Sequence, residues 1–115
     1  MLELIGTIEK IEKSSISNVD LIFINTEKNQ TQMRLELVNE INPFKEDETV
    51  KIIFDTKPAS KNDQKLVLNA YIYSISKVQA INNIIISIGG LQLKIETPKE
   101  YDDFKIKKEI NIQFY

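Results

Sequence analysis

The sequence predicts an all-β domain of eight strands, closed or nearly closed into an antiparallel barrel. Three observations predict it. Apolar and polar residues alternate with period two, as in Met33-Arg34-Leu35-Glu36-Leu37, Leu91-Gln92-Leu93-Lys94-Ile95 and Ile110-Asn111-Ile112-Gln113-Phe114, which puts the apolar side chains on one face of a strand. No segment keeps a helical period for ten residues. The strands so marked are short, and a lone flat sheet made of them would leave hydrophobic edges open, so closure is expected.

The elements follow in order. Strand 2–13 opens with Leu2, Leu4 and Ile8 on one face. Strands 19–26 and 31–38 come next, joined through the turn residues Glu27-Lys28-Asn29-Gln30. A connector ending in Phe44 leads to strand 49–56. Residues 57–64 (Lys57-Pro58-Ala59-Ser60-Lys61-Asn62-Asp63-Gln64) are polar and form a natural joint. Strands 65–78, 81–88 and 91–97 follow, with turn chemistry at Asn82-Asn83 and Gly89-Gly90. Thr97-Pro98-Lys99-Glu100 offers a Thr N-cap, Pro at the first helical position and Glu at the third. That capping box predicts a short helical turn from Pro98 to Phe104, serving as a connector. Strand 109–115 closes the chain.

The chain also repeats itself. Met33 to Leu37 matches Leu91 to Ile95 at an offset of 58, and Phe44 with Val50 to Phe54 matches Phe104 with Ile110 to Phe114 at an offset of 60. Two pseudo-equivalent halves, 1–56 and 65–115, are therefore expected to share one core, because neither could bury its apolar face alone.

Composition sets further bounds. At 115 residues and 13.3 kDa the chain is one domain's worth, large enough for one core but not for a deep enclosed active site. Hydrophobic residues at 42% and charged residues at 28% mark a foldable composition. No apolar run approaches membrane-spanning length, and the opening Met-Leu-Glu-Leu-Ile-Gly carries no basic leader, so a cytoplasmic protein is expected. There is no Cys and no His, which removes thiolate and imidazole chemistry: no disulfide, no Cys nucleophile, no His general base. Fourteen of the fifteen basic residues are Lys, only Arg34 is Arg, and the net charge is −2, the wrong sign for a protein that lives on phosphate backbones. The balance is that of a domain that binds protein, not of an enzyme acting alone, and no cofactor or metal is expected.

Each chemical candidate has a plain structural reading. Glu46-Asp47-Glu48 and Asp102-Asp103 lack the alternating oxygen ligands and Gly of a calcium loop and read as solvated connector charge. Lys99, Lys105, Lys107 and Lys108 form a basic patch that Glu100, Asp102, Asp103 and Glu109 interleave. Tyr71 and Tyr73 alternate on one strand face and could stack bases, or lie half-buried. Gly89-Gly90 fits a two-residue hairpin with positive φ at both positions, and its bare backbone would also let another chain approach. Asn29-Gln30-Thr31 matches a glycosylation sequon but, without a secretion signal, reads as an ordinary turn.

One stretch is more specific. Ile84-Ile85-Ile86-Ser87-Ile88-Gly89-Gly90-Leu91-Gln92-Leu93-Lys94-Ile95 resembles the Ser-Phe-Gly-Gly-Leu-Leu-Met-type segment of the RNA polymerase subunit 8 family, whose archaeal counterpart is called the G subunit. Tyr71-Ile72-Tyr73-Ser74-Ile75 before it and Ile110 to Phe114 after it fit the same pattern. Ile5-Gly6-Thr7-Ile8-Glu9-Lys10-Ile11, Met33 to Leu37, Phe44 and Val50 to Phe54 follow the family's first half in order. Ile88 stands where the family usually has Phe, Gln92 where it has Leu, and Ala70 where a Gly is common. The long acidic insertion of eukaryotic members shrinks here to residues 57–64, as in an archaeal form.

The resemblance implies an eight-stranded barrel of the oligonucleotide-binding (OB-fold) type with internal two-fold pseudosymmetry. It further implies a non-catalytic peripheral subunit docking on the largest polymerase subunit and supporting assembly or stability. Contact with nucleic acid would be indirect, with no membrane contact and no homo-oligomer. Docking is expected around Ile88, Gly89, Gly90, Leu91 and Leu93, with Tyr71 and Tyr73 as further contacts because aromatics are enriched in interface cores. The rival is a free-standing OB-fold protein that binds single-stranded nucleic acid in a salt-dependent way. A small-molecule barrel has no convergent set of polar residues to support it.

Overall fold

The computed structural model of the chain describes residues 1–26, 28, 30–57 and 63–115. Eight strands make it up: β1 (Leu2–Lys13), β2 (Val19–Thr26), β3 (Thr31–Val38), β4 (Thr49–Asp55), β5 (Leu66–Val78), β6 (Ile81–Ile88), β7 (Leu91–Thr97) and β8 (Glu109–Phe114). They form a closed barrel in the order β1-β2-β3-β7-β6-β5-β8-β4, with β4 returning to β1 and every pairing antiparallel. The expected strands are all present, and of the residues expected in them only Thr56, Lys65 and Tyr115 fall outside the observed strands. Closure leaves no full-length edge for another chain to template on.

Alternation supplies the core. Leu4 and Ile8 of β1, Ile22 and Ile24 of β2, Leu35 of β3, Ile52 and Phe54 of β4, and their counterparts Ile72, Ile86, Leu93, Ile95, Ile112 and Phe114 are all shut off from solvent. Burial of each is worth about 1.5–3 kcal/mol relative to exposure. Gly6 lets β1 lie close to β2: a Cβ there would come within 2.9 Å of Ile24 Cγ2 and 3.0 Å of Thr26 Cγ2. The connector phenylalanines close the barrel crosswise. Phe44 meets Phe114 edge-to-face at 5.2 Å, and Phe104 meets Phe54 at 5.1 Å. Each connector thus seals against the closing strand that lies beyond the other connector.

Matching backbone features recur in the first four strands and the last four. β1 shifts register between Ile8 and Lys10, and β5 between Ile72 and Ser74. Asp47 donates its backbone N–H to the Ile8 carbonyl at 2.7 Å, and Lys107 donates to Ile72 at 2.9 Å; both donors sit at positive φ. Ile8 N–H in turn reaches Glu48 O, and Ile72 N–H reaches Lys108 O. Gln30 and Gly90, each just before a strand and each at positive φ, are 60 residues apart (30 to 90). These turns align β3 with β7 at that spacing, not at the offset of 58 that side-chain similarity gave.

The helical turn expected from Pro98 to Phe104 does not form; that stretch is bends and turns. A 3-10 turn spans Asn39–Ile41. Half of the capping box is made, since Lys99 N–H donates to Thr97 Oγ1 at 3.2 Å. The other half is diverted. Glu100 pairs with Lys77 at 3.1 Å instead of folding back, and Asn82 Nδ2 holds the Lys99 carbonyl at 3.0 Å, where a helix would need it free. Asn82 and Asn83 belong to β6, and the β5–β6 turn falls on Gln79 and Ala80, both at positive φ. Of the expected polar joint, residues 58–62 lie outside the described residues, as do Glu27 and Asn29 of the β2–β3 turn and sequon.

Candidate docking surface

The expected site falls in two parts. Gly89 and Gly90 join Ile88 to Leu91 with φ of 54° and 93°, the positive values a type I′ hairpin turn requires. They are exposed, and a Cβ on either would meet nothing within 4 Å. Their neighbours turn away. Leu93 is fully buried, Leu91 shares its strand face, and Ile88 packs against the core. Parity explains this, because Leu91, Leu93 and Ile95 must all face the side that fills the barrel. Leu93 therefore offers a partner no side chain, and what this hairpin presents is glycine backbone.

The tyrosines lie on the outside of β5, Tyr71 40% and Tyr73 64% exposed, with Tyr73 the unpaired residue at the register shift. Tyr71 pairs with Ser87 of β6 on one side and Glu109 of β8 on the other. It shares a groove of about 400 Å³ with Gly89, Ser87, Asn69, Asn111 and Thr56. The fold thus brings Tyr71 and Gly89 to one place, across two strands.

Beside that groove runs a polar chain that alternation alone did not mark as special. Asn111 Nδ2 donates to Asn69 Oδ1 at 2.9 Å, Gln113 Nε2 to Asn111 Oδ1 at 3.0 Å, and Tyr115 Oη to Gln113 Oε1 at 2.9 Å. Asn111 and Gln113 point away from the core yet are only 6% exposed. A signal for this exists in the sequence: β8 carries amides at outward positions where β3 and β7 carry charges such as Arg34, Glu36, Lys94 and Glu96.

The acidic runs tie the barrel together. Glu46 accepts the Ile11 N–H at 3.0 Å, Glu48 pairs with Lys65 at 2.7 Å, and Asp103 pairs with the terminal amine of Met1 at 3.1 Å. Among the described residues no three Asp or Glu lie together as metal ligands, and no helix is long and apolar enough to cross a membrane. Lys99, Lys105, Lys107 and Lys108 form no ion pair among the described residues.

Compared with known proteins, residues 1–114 match the RpbG family model, which describes the G subunit of DNA-directed RNA polymerase. The chain belongs to the RpbG family of RNA polymerase subunits. A curated relative, DNA-directed RNA polymerase subunit Rpo8 of Saccharolobus solfataricus, is 29% identical over 110 residues, covering 91% of this chain and 80% of the relative. Family and relative together make the protein a subunit of an archaeal DNA-directed RNA polymerase. Among solved structures, the cytoplasmic molybdate-binding protein ModG aligns over 97% of this chain and 88% of its own, at 10% identity and a TM-score of 0.41. A likeness at that level supports neither a shared site nor a shared ligand. For this RpbG family member, the groove between Tyr71 and Gly89 is the outer feature that two expected contact residues share.

Proposed function

We propose that this polymerase subunit is non-catalytic, docks on the largest subunit, and supports assembly or stability of the cytoplasmic enzyme, touching nucleic acid only through the complex. The observation that carries the reading is the meeting of Tyr71 and Gly89 in one groove, a half-exposed aromatic beside bare hairpin backbone. Aromatic anchors beside backbone that another chain can approach closely are what a protein interface uses. The absence of His and Cys from the sequence fits a chain that leaves the chemistry to its partners.

Purification of the tagged subunit from its native host, after nuclease treatment and at moderate salt, tests this by mass spectrometry of what co-elutes. Near-stoichiometric large polymerase subunits are expected. Recovery of the chain alone, or only with nuclease-sensitive partners, would count against it. A second reading rests on Lys105, Lys107 and Lys108, which carry no ion pair among the described residues, and of which Lys107 and Lys108 bond through their backbone to Ile72 beside Tyr73: a single-stranded nucleic-acid binder. Fluorescence anisotropy with the isolated chain at low salt decides that one, and no binding is expected.

A further inference from the structure

β5 outruns its neighbour. It pairs with β8 only as far as Tyr71 and Glu109, and Ile72 then bonds through both its N–H and its C=O to Lys108 and Lys107. Beyond that point Ser74 to Val78 pair with β6 alone. The register shift after Ile72 decides which backbone groups face outward. Ile72 points away from β6, the shift inserts one residue, and strict alternation then turns Ile75 and Lys77 away as well. Two N–H and two C=O groups therefore lie along an open edge, and none of them meets a partner among the described residues.

The matching overhang of β1 differs from it at one group. There Ile11 N–H is occupied by the Glu46 carboxylate. The residue 60 positions after Glu46 is Ile106 (46 to 106), which is 50% exposed and has no acceptor to offer. Beside the open edge lies a groove of about 300 Å³ lined by Ile75, Ile84, Tyr101, Phe104, Lys99 and Lys105. The Tyr101 hydroxyl oxygen is buried there with no hydrogen-bond partner. Lys99 and Lys105 carry no ion pair among the described residues; of the acids lining the groove, Glu100 is taken by Lys77 and Asp102 alone is left, so the free lysines outnumber the free acid.

We propose that an extended segment of the partner polymerase subunit adds as a strand to the β5 edge at Ile75 and Lys77. This rests on the docking reading above and locates one of its contacts. Strand addition draws affinity from backbone hydrogen bonds and selectivity from pockets for alternate side chains. The segment that fits carries apolar residues toward Ile75 and Phe104 and an acidic residue beside Lys99 and Lys105. Tyr73, at the register shift, makes the edge continuous with the groove at Tyr71 and Gly89.

Hydrogen–deuterium exchange of peptides spanning 73–78, in the free chain and in reassembled polymerase, reads the edge directly. Exchange there should slow about tenfold or more on assembly, while peptides spanning 9–13 change little. Lys77→Pro deletes a free edge donor without touching the β6 ladder and should lower incorporation about tenfold, whereas Lys77→Ala should incorporate normally. Ile106→Glu, which copies the Glu46 cap, should lower incorporation with the barrel intact by circular dichroism. Equal incorporation of wild type, Lys77→Pro and Ile106→Glu with no protection at 73–78 would overturn the edge proposal and leave the docking reading standing. Failure of the wild-type chain to join the polymerase would overturn both. Protection produced by a second copy of the chain, or by an oligonucleotide without protein, would overturn the partner assignment.

Discussion

The β1–β2 and β5–β6 hairpins have one backbone plan and two different fates. Both overhang the barrel past a register shift, and both leave a connector lying against the open side. One connector sends a carboxylate to the edge at Ile11; the other sends no hydrogen-bond partner to Ile75 among the described residues. The contrast extends to the closing strands. β4 turns exposed Lys51 outward, while β8 turns the nearly buried Asn111 and Gln113 outward, joined in a hydrogen-bonded chain. Similar backbone turns can thus carry different side chains, so that one overhang has a capped amide and the other does not. Unpaired strand edges are a hazard that proteins normally manage, and the uncapped amide at Ile75, opposite its capped counterpart at Ile11, is where the proposed strand addition begins.

The strongest way to break the comparison is in the core, where the two sets of strands ought to be equals. Phe44→Ala and Phe104→Ala should each cost about 3–5 kcal/mol, and a urea melt should show a single transition for both variants. A variant that melts in two steps would mean that the crosswise phenylalanine seals do not couple the barrel. Next comes Gly6, whose matching position in β5 is Ala70. Gly6→Ala should lose about 1–3 kcal/mol, because its Cβ would strike Ile24 and Thr26, a crowding that β5 and β6 avoid. No loss in chemical denaturation would show that β1 can move off β2.

Smaller changes sharpen the comparison. Ala80 holds φ of 67° in the β5–β6 turn, so Ala80→Gly should gain about 1 kcal/mol by relieving a left-handed conformation, visible as a raised denaturation midpoint. Least of all in global stability, Glu46→Ala should leave the melt unchanged and speed amide exchange at Ile11 several-fold by uncapping that edge.

Much of the barrel could be read from residues because a half-buried strand must alternate, and β3, β7 and β8 do so almost without fault. The β5–β6 turn could not, since Gln79-Ala80 carries none of the Gly, Asn or Asp that positive φ favours, whereas the Asn82-Asn83 pair just beyond it does. The false helix near Pro98 shows a sound local signal losing to tertiary bonds, with Asn82 and Lys77 claiming the groups a helix would have used. At the candidate site, Gly89 and Tyr71 were legible as types. Their shared groove was not, because it depends on β5 and β6 pairing Tyr71 with Ser87. The open edge at Ile75 was hidden for a sharper reason. A one-residue register shift sets which way each amide points, and side-chain patterns record it only faintly.

The strand order has a consequence for how the polypeptide is made. β8 sits between β4 and β5, so residues 109–114 are the stave that completes the ring. Until they emerge, a nascent chain can hold β4, β1, β2 and β3 as a ribbon, but β4 and the far end of the sheet stay bare. A chain whose residues 109–114 have not yet left the ribosome thus keeps both ends of its sheet unpaired and adhesive, and their emergence is what ends that vulnerability.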